Sequence, residues 1–373
     1  MEKLKVLELI GGSLSDGGAE TLVKDYLLNI DKERFETALF VDWVFSESAT
    51  TRILNKYGQL IYTAYPRYSL LWRGFNRYFR THFLIKGIKK TIRSFNPDVI
   101  HIHLAALHYL TFLKNEIKGR KLFYTCHSTV DAKLAAFPEE DKAASLLSKQ
   151  YGMRFIALHD SMRKELNDRY NVNNSIVINN GIDLNRFRNV SETKEEIRQS
   201  LNLSPDSFVV GHVGRFVPVK NHDFILKVFE LVHTKCPNSF LLLIGDGEQL
   251  EEFRTKLKET ELDHFVNILS NRTDIPQLLK AMDVFLFPSI YEGLGIALIE
   301  AQASGLRCVA SDTIDKTAFA SNLVIPLNLS DPLEKWCDTL LDSKQRGPFN
   351  NRLDEFDIKS SVKQLEELYL EEE

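Results

Sequence analysis

The sequence predicts an α/β protein made of two doubly wound parallel-sheet domains, and three observations lead there. Short β-branched runs ending in Gly, Ser, Asn or His alternate with helical patterns, the signature of βαβ units. The alternation starts again after about residue 190. At 373 residues the chain also exceeds one ordinary core, while two domains of roughly 170 to 190 residues fit the usual size.

Each expected strand is a run of four to six mostly apolar residues. In the first half they are Leu4–Leu9, Glu36–Val41, Val99–His103, Lys121–Cys126, Phe155–Leu158 and Ser175–Ile178. In the second half they are Val209–Val213, Ser239–Ile244, Phe265–Ile268, Val284–Phe287 and Arg307–Ala310. Asn179-Asn180-Gly181 is a turn signal, and the polar stretch Asn189–Ser204 then carries a helical pattern. The boundary is therefore expected near Phe187 to Val190, giving domains 1–188 and 189–355. Ile358, Val362, Leu365 and Tyr369 recur at i, i+4, i+7 and i+11, the apolar stripe of a helix over 356–373 that docks back on the first domain.

Composition narrows the class. A hydrophobic share of 44% and a charged share of 26% belong to a globular chain. Cys126, Cys236, Cys308 and Cys337 are scattered with no Cys-x-x-Cys pair, and read as buried thiols in a reducing cytosol. Glu2 and Glu8 interrupt the apolar N-terminus, which leaves no signal-peptide core. No run approaches the ~20 apolar residues of a spanning helix. Net charge is −4, but it is unevenly spread. From Ser48 to Pro97 the chain places ten of its 47 basic residues (Arg52, Lys56, Arg67, Arg73, Arg77, Arg80, Lys86, Lys89, Lys90 and Arg93) and none of its 51 acidic ones.

Open parallel sheets bind ligands at the carboxyl ends of their strands, so chemistry is sought in the loops that follow them. The first, Gly11 to Glu20, holds Gly11, Gly12, Gly17 and Gly18 and leads into a helix expected from Thr21. Read alone it is either a phosphate cradle at a helix N-terminus or a flexible connection, and it is neither a Gly-x-Gly-x-x-Gly nor a Walker loop. The second, Gly211 to Asn221, carries Arg215 and Lys220 five residues apart, so that a planar fork and a point charge can converge on one polyanion. The third runs from Phe287 to Gly305, where a glycine loop precedes a helix expected from Ile296. The amides of that helix N-terminus can hold a diphosphate without metal. Glu292 in the loop and Glu300 in the helix can accept hydrogen bonds from sugar hydroxyls.

At these residues the chain resembles the retaining glycosyltransferases of family 4. The resemblance rests on the Gly-Gly-Ala-Glu loop at 17–20, Asp98–His103, His127, Asn180 to Asp183, Arg215 with Lys220, Gly245 to Gly247, and the Glu-x7-Glu element at 292–300. Bacterial enzymes that build capsule, exopolysaccharide or O-antigen repeat units are the most similar. The resemblance implies a GT-B architecture: two Rossmann-like domains facing a cleft, the first binding acceptor and the second the nucleotide sugar. It implies that Arg215 and Lys220 neutralise the leaving diphosphate with support from Gly293, Leu294 and Gly295. Glu292 would then hold donor-sugar hydroxyls and Glu300 the ribose hydroxyls. His127 would approach the donor sugar from the other domain; read alone, it is equally a satisfied strand-end histidine. Arg272 would lie near the base through its backbone, although Ser270-Asn271 stands where relatives carry glycine. Gly17 and Gly18 complete the donor-side set.

No two aspartates sit two apart, so the Asp-x-Asp metal motif is missing, and no metal or cofactor is expected beyond the nucleotide sugar, a UDP-sugar for preference. Rival readings are a sugar-nucleotide epimerase on the same architecture, a non-catalytic membrane scaffold and a nucleic-acid-binding module. The intact motif set favours transfer with no nucleic-acid partner. The basic segment suggests an anionic membrane surface and a lipid-linked glycan acceptor at the inner face of the cell membrane. Trp72, Phe75, Phe79 and Phe83 share one face of a helical wheel with Arg73, Arg77 and Arg80 clustered beside them, and Arg67 belongs to the same basic surface. Tyr62, Tyr65, Tyr68 and Tyr78 suit the headgroup layer, while Lys89, Lys90 and Arg93 read as the solvated face of a helix.

Overall fold

A computed structural model of the chain describes residues 2–14, 18–44, 48–65, 77–130, 134, 136–342 and 352–372, with backbone alone at 77–79. The chain forms two compact units, Met1–Gly181 with Ile358–Glu373, and Ile182–Asp357.

The first unit is built on a sheet of β1 (Leu4–Leu14), β2 (Phe35–Val44), β3 (Leu60–Thr63), β4 (Val99–Leu104), β5 (Lys121–Thr125), β6 (Arg154–Ala157) and β7 (Ile176–Val177). Its order is β3-β2-β1-β4-β5-β6-β7, and every neighbouring pair is parallel. The second unit repeats the plan with β8 (Phe208–Val213), β9 (Ser239–Ile244), β10 (Val266–Leu269), β11 (Val284–Phe287), β12 (Arg307–Ser311) and β13 (Val324–Leu327). These are ordered β10-β9-β8-β11-β12-β13, again all parallel. Both sheets reverse their winding beside the first strand of the unit, between β1 and β4 and between β8 and β11. Such switch points open a crevice at the strand ends.

Central strands are largely apolar because helices cover both faces of a parallel sheet. Val284 to Phe287 and Leu241 to Ile244 are buried without exception. On one face of the sheet, Leu241, Leu243, Val284 and Leu286 share a core with Ile225 and Phe229 of the helix His222–Lys235 and with Trp336 of Leu333–Leu341. Two strands were not expected. β3 and β13 are sheet edges, only partly buried, and Pro326 inside β13 argues against a strand on sequence grounds. An edge tolerates it, since one side needs no donor.

Three expectations are corrected. The boundary falls at Gly181/Ile182, before the predicted Phe187–Val190, because the short helix Leu184–Arg188 packs on the second unit's helices Ile275–Ala281 and Ile296–Ala303. The return crossing falls at Asp357/Ile358 rather than 355/356. The two crossings run side by side: Ile182 N–H donates to the Phe356 carbonyl at 2.8 Å, and a Cβ at Gly181 would lie 2.5 Å from Ile358 Cα. Second, Gly11 to Leu14 are the end of β1 rather than a loop. Gly11 is required there because a Cβ would lie 2.2 Å from the Ala105 carbonyl oxygen, and Gly12 adopts φ +122° where the register with β2 shifts. Third, Cys236 is half-buried, unlike the other three cysteines.

The helix Ile358–Leu370 belongs to the first unit, where Ile358, Val362, Leu365, Leu368 and Tyr369 join Val6, Leu22, Phe35 and Phe123 in one core. No helix among the described residues is long and apolar enough to cross a membrane.

Candidate active site

The switch point of the second sheet brings Lys220 and Glu292 together. β8 delivers the chain into the turn Pro218–Lys220, and β11 into the loop that ends at Gly295. The two loops are tied by Ile290 N–H donating to the Val219 carbonyl at 2.8 Å and Asn221 Nδ2 to the Pro288 carbonyl at 3.3 Å. This brings Lys220 Nζ to 2.5 Å from Glu292 Oε1, with the ammonium also 5.3 Å from the Phe287 ring centroid. Both side chains are half-buried, at 17% and 12% exposure, so the pair is shielded more than a surface ion pair, which is worth little. Gly295 takes φ +79°, a conformation glycine adopts without strain, and from it the helix Ile296–Ala303 starts. Gly293 and Leu294 are buried beside it, and Glu300 is half-buried on the helix.

Arg215 is exposed, and its side chain has no hydrogen bond or ion pair among the described residues. Its loop is held by Phe216, whose N–H donates to the Asp246 carbonyl at 3.0 Å and whose carbonyl accepts from Gln249 N–H at 3.0 Å. Gly247 permits this approach, since a Cβ there would lie 2.5 Å from the Phe216 oxygen. Arg272 pairs with Asp274, Nε to Oδ1 at 2.7 Å. The missing family glycine has a physical substitute: Asn271 adopts φ +56°, and asparagine is among the few side chains that enter this region readily. Ser270 Oγ donates to the Gly245 carbonyl at 2.9 Å, fastening that loop to the one after β9.

Beneath Lys220 lie two buried histidines that the sequence reading did not single out. Burial and the Lys220 cation push His222 down to about 4, and burial, with His222 alongside, holds His212 well below the usual range. His222 stacks on Phe216 at 3.9 Å. A neutral imidazole floor adds no charge to compete with Lys220 for an anion.

In the first unit His127 follows β5, half-buried, with Nε2 2.8 Å from His103 Nδ1. His103 Nε2 is in turn 2.7 Å from Glu8 Oε2. Glu8 had been read only as a break in an apolar run. The signal that marks it is a lone carboxylate on a central strand, paired in register with His101 of β4. Among the described residues, Glu8, His101 and His103 also form a set whose ligand-type atoms lie within 4.8 Å of one another. Their hydrogen bonds to Tyr369, Thr125 and His127 already occupy those atoms. Nearby on β2, burial pushes the Asp42 carboxyl up to about 7 against the lowering effect of the Gly12 amide, Arg80 and His108.

Gly18 opens the helix Gly18–Asn29, whereas Gly17 lies outside the described residues, as do Arg67, Trp72, Arg73 and Phe75. Arg77 begins the helix Arg77–Phe95, which includes Phe79. On that helix Arg80, Phe83, Lys86 and Lys90 are exposed. Lys89 and Arg93 do not form a purely solvated face: both pair with Glu116, at 3.1 and 2.8 Å. Tyr65 is not a headgroup-facing residue either, since it is buried and its hydroxyl donates to the Arg80 carbonyl at 2.9 Å.

Two doubly wound parallel sheets with a lysine, a carboxylate and a helix N-terminus at one switch point define a GT-B glycosyltransferase. The family model of Glycosyl transferases group 1 matches residues 193–317, and that of Glycosyltransferase Family 4 matches residues 16–186. The chain belongs to glycosyltransferase family 4 and is an enzyme of that class. It is 27% identical over 351 residues to EpsF of Bacillus subtilis, named as a glycosyltransferase, covering 92% of this chain and 88% of that one. It is also 27% identical over 317 residues to the UDP-Gal:alpha-D-GlcNAc-diphosphoundecaprenol alpha-1,3-galactosyltransferase of Escherichia coli, covering 77% of this chain and 80% of the other. In fold it resembles Anabaena Alr3699/HepE, solved with UDP-glucose, at TM-score 0.74 and 21% identity over 98% of this chain and 99% of that one.

Proposed function

We propose that the enzyme transfers a hexose from a UDP-sugar to a glycan carried on a polyprenyl diphosphate, with retention of configuration and without a metal ion, in the assembly of bacterial surface polysaccharide. The Lys220–Glu292 pair carries this reading. Cleaving the sugar–phosphate bond places negative charge on the departing diphosphate. Lys220 is already positioned to meet it, with Arg215 as the second cation and the amides of Gly293, Leu294 and Gly295 as fixed donors. When the diphosphate arrives it replaces Glu292 as the partner of Lys220, and the released carboxylate turns to the sugar hydroxyls. Glu300 accepts from the ribose, and Arg272 supports the base through its backbone. His127 receives a donor-sugar hydroxyl. The E. coli relative's name, with its UDP-Gal donor and diphosphoundecaprenol acceptor, and the UDP-glucose complex of HepE support the choice of substrates.

The test is a panel of UDP-, GDP- and ADP-sugars, read by thermal stabilisation and by slow hydrolysis without acceptor. Stabilisation and hydrolysis confined to UDP-sugars are expected; a protein indifferent to all three would sink the reading. A lipid-linked acceptor also calls for attachment to the cytoplasmic face of the membrane, through the basic segment that includes Arg67, Trp72, Arg73, Phe75, Arg77, Phe79 and Arg80. Each basic residue near an anionic surface contributes roughly 1 kcal/mol. In liposome flotation the wild type should rise with anionic vesicles and not with neutral ones, and Arg73/Arg77/Arg80→Glu should stay at the bottom. Equal recovery in all arms would point to a soluble acceptor.

A further inference from the structure

Lys220 and Glu292 stand at the switch point of the second sheet, and the matching switch point of the first sheet holds a polar cluster to which the donor reading gives no role. β1 and β4 meet there with Gly11 opposite Leu104. Gly12 follows at φ +122°, and among the described residues nothing lies within 4 Å of the place a Cβ would take. Asp42 of β2 flanks this open floor, and its carboxyl accepts from the Gly12 amide. The Asp42 carbonyl accepts from Tyr65 N–H at 3.2 Å, and the Tyr65 hydroxyl donates to the Arg80 carbonyl at 2.9 Å. These two bonds hold the first turn of the helix Arg77–Phe95 beside Asp42. From the other side, β4 leads into the short helix Leu107–Leu110, which carries His108 and Tyr109.

Several polar atoms of this cluster are left over by the fold. Glu140, 4% exposed, accepts from the amides of Leu107 at 2.9 Å and His108 at 3.4 Å, one on each oxygen, and from His108 Nδ1. A carboxylate so engaged only accepts, so the His108 proton sits on Nδ1 and Nε2 remains, on a side chain 21% exposed. His108 Nε2, the Tyr109 hydroxyl and the Arg80 guanidinium have no hydrogen-bond partner among the described residues. Asp42 is buried, His108 and Tyr109 are half-buried and Arg80 is exposed, which gives the cluster a buried floor and open walls.

The charges show that these groups face one another. Burial lifts the Asp42 carboxyl to about 7, and the Gly12 amide, Arg80 and His108 draw it back. Burial, then Asp42 and Glu140, hold the Tyr109 hydroxyl well above its usual range while Arg80 works against them. Tyr109 therefore keeps its proton and donates. Perturbed groups converging in a crevice are the mark of a binding site. A sugar hydroxyl both donates and accepts, so a carboxyl, a ring nitrogen and a phenol together suit a sugar ring better than a phosphate, which the Asp42 carboxylate would repel.

We propose that Asp42, His108 and Tyr109 form the subsite for a sugar ring of the acceptor, with Arg80 at its rim for the acceptor's diphosphate. This rests on the reading of the acceptor as a glycan carried on a polyprenyl diphosphate. A sugar and the diphosphate it is bonded to are adjacent groups, as the Asp42 carboxyl and the Arg80 guanidinium are.

The experiment is isothermal titration calorimetry of the full chain with α-GlcNAc, α-glucosyl and α-galactosyl diphosphates on a short alkyl chain, and separately with UDP-glucose. These probes are water-soluble, so membrane attachment does not enter. At least one of the three should bind the wild type. Asp42→Asn and Tyr109→Phe should each weaken that probe about tenfold, with UDP-glucose binding retained. Arg80→Gln should weaken it as well and reduce the salt dependence of its affinity, which Asp42→Asn leaves in place. The Tyr109 hydroxyl has no partner to lose, so Tyr109→Phe keeps the test intact should Asp42→Asn not fold. Wild-type affinity for the probe in both Asp42→Asn and Tyr109→Phe overturns the proposal, and so does a parallel loss of UDP-glucose binding in Tyr109→Phe, which would assign the cluster to the donor. A wild type that binds UDP-glucose and none of the three probes brings down the reading of the acceptor, and the subsite with it.

Discussion

Lys220 and Glu292 are separated by 72 positions in sequence and by 2.5 Å in the fold, and that contact changes what their substitution should do. Each was chosen for its chemistry, a cation for the diphosphate and a carboxylate for the sugar, and read separately they would act independently. Lys220→Ala and Glu292→Gln should each lower turnover on the order of 10²-fold while weakening UDP binding far less, because both act where charge or geometry changes in the transition state. Since the side chains touch, the double variant should fall well short of the product of the two losses. Multiplicative losses in kcat would show that the pair does not work as a unit. At the same scale, Asn271 adopts φ +56°, a left-handed backbone that asparagine enters more readily than most side chains.

Central strands were legible as largely apolar runs, since burial on both faces leaves little polar alternation to blur them. The edges β3 and β13 were not, because a half-covered strand of four residues looks like loop, and Pro326 makes the resemblance to loop stronger. The C-terminal stripe was legible for the opposite reason: its period of 3.6 survives even though its core partners, from Val6 to Ile178, lie far upstream. That helix closes the first unit's core, and Leu365, at 3% exposure, packs in the same cluster as Val6 and Phe35. Leu365→Ala should cost about 2–5 kcal/mol in urea unfolding, while Glu367→Ala on the exposed side should stay within about 0.5 kcal/mol. Equal effects would mean that the helix is not docked in solution. The basic helix was expected from its aromatic spacing, but Lys89 and Arg93 in its later turns pair with Glu116, a residue of a different element that no local pattern reveals.

Across the whole molecule, buried histidines set the response to acid. In the unfolded chain His103 and His222 take up protons near 6.5, and in the folded chain only near 4. The unfolded state thus binds more protons between these values, so stability is full above about pH 6.5 and declines as pH falls toward 4. Asp42 works the other way, because its folded value of about 7 lies above the unfolded 3.8 and weakens stability as pH rises through that window. Two such histidines, with His212 shifted in the same direction, outweigh one carboxyl. Tm should fall between pH 6.5 and 4, and His222→Leu should flatten that fall; a Tm that rises on acidification would contradict the burial of neutral imidazoles. On the metal-free mechanism proposed above, activity should survive excess EDTA, and restoration of an EDTA-inactivated enzyme by Mg²⁺ or Mn²⁺ would reveal a ligand set beyond Lys220, Arg215 and the helix N-terminus. The sequence by itself determined the two α/β units, most of their strands and the family, since hydrophobic periodicity and loop motifs are local and survive without coordinates. Only the tertiary structure decided that Lys220 meets Glu292, that Glu8 reaches His127 through His103, and that the crossings lie at Gly181/Ile182 and Asp357/Ile358. Each of these depends on which distant strands become neighbours, a choice made by burying both faces of a sheet at once.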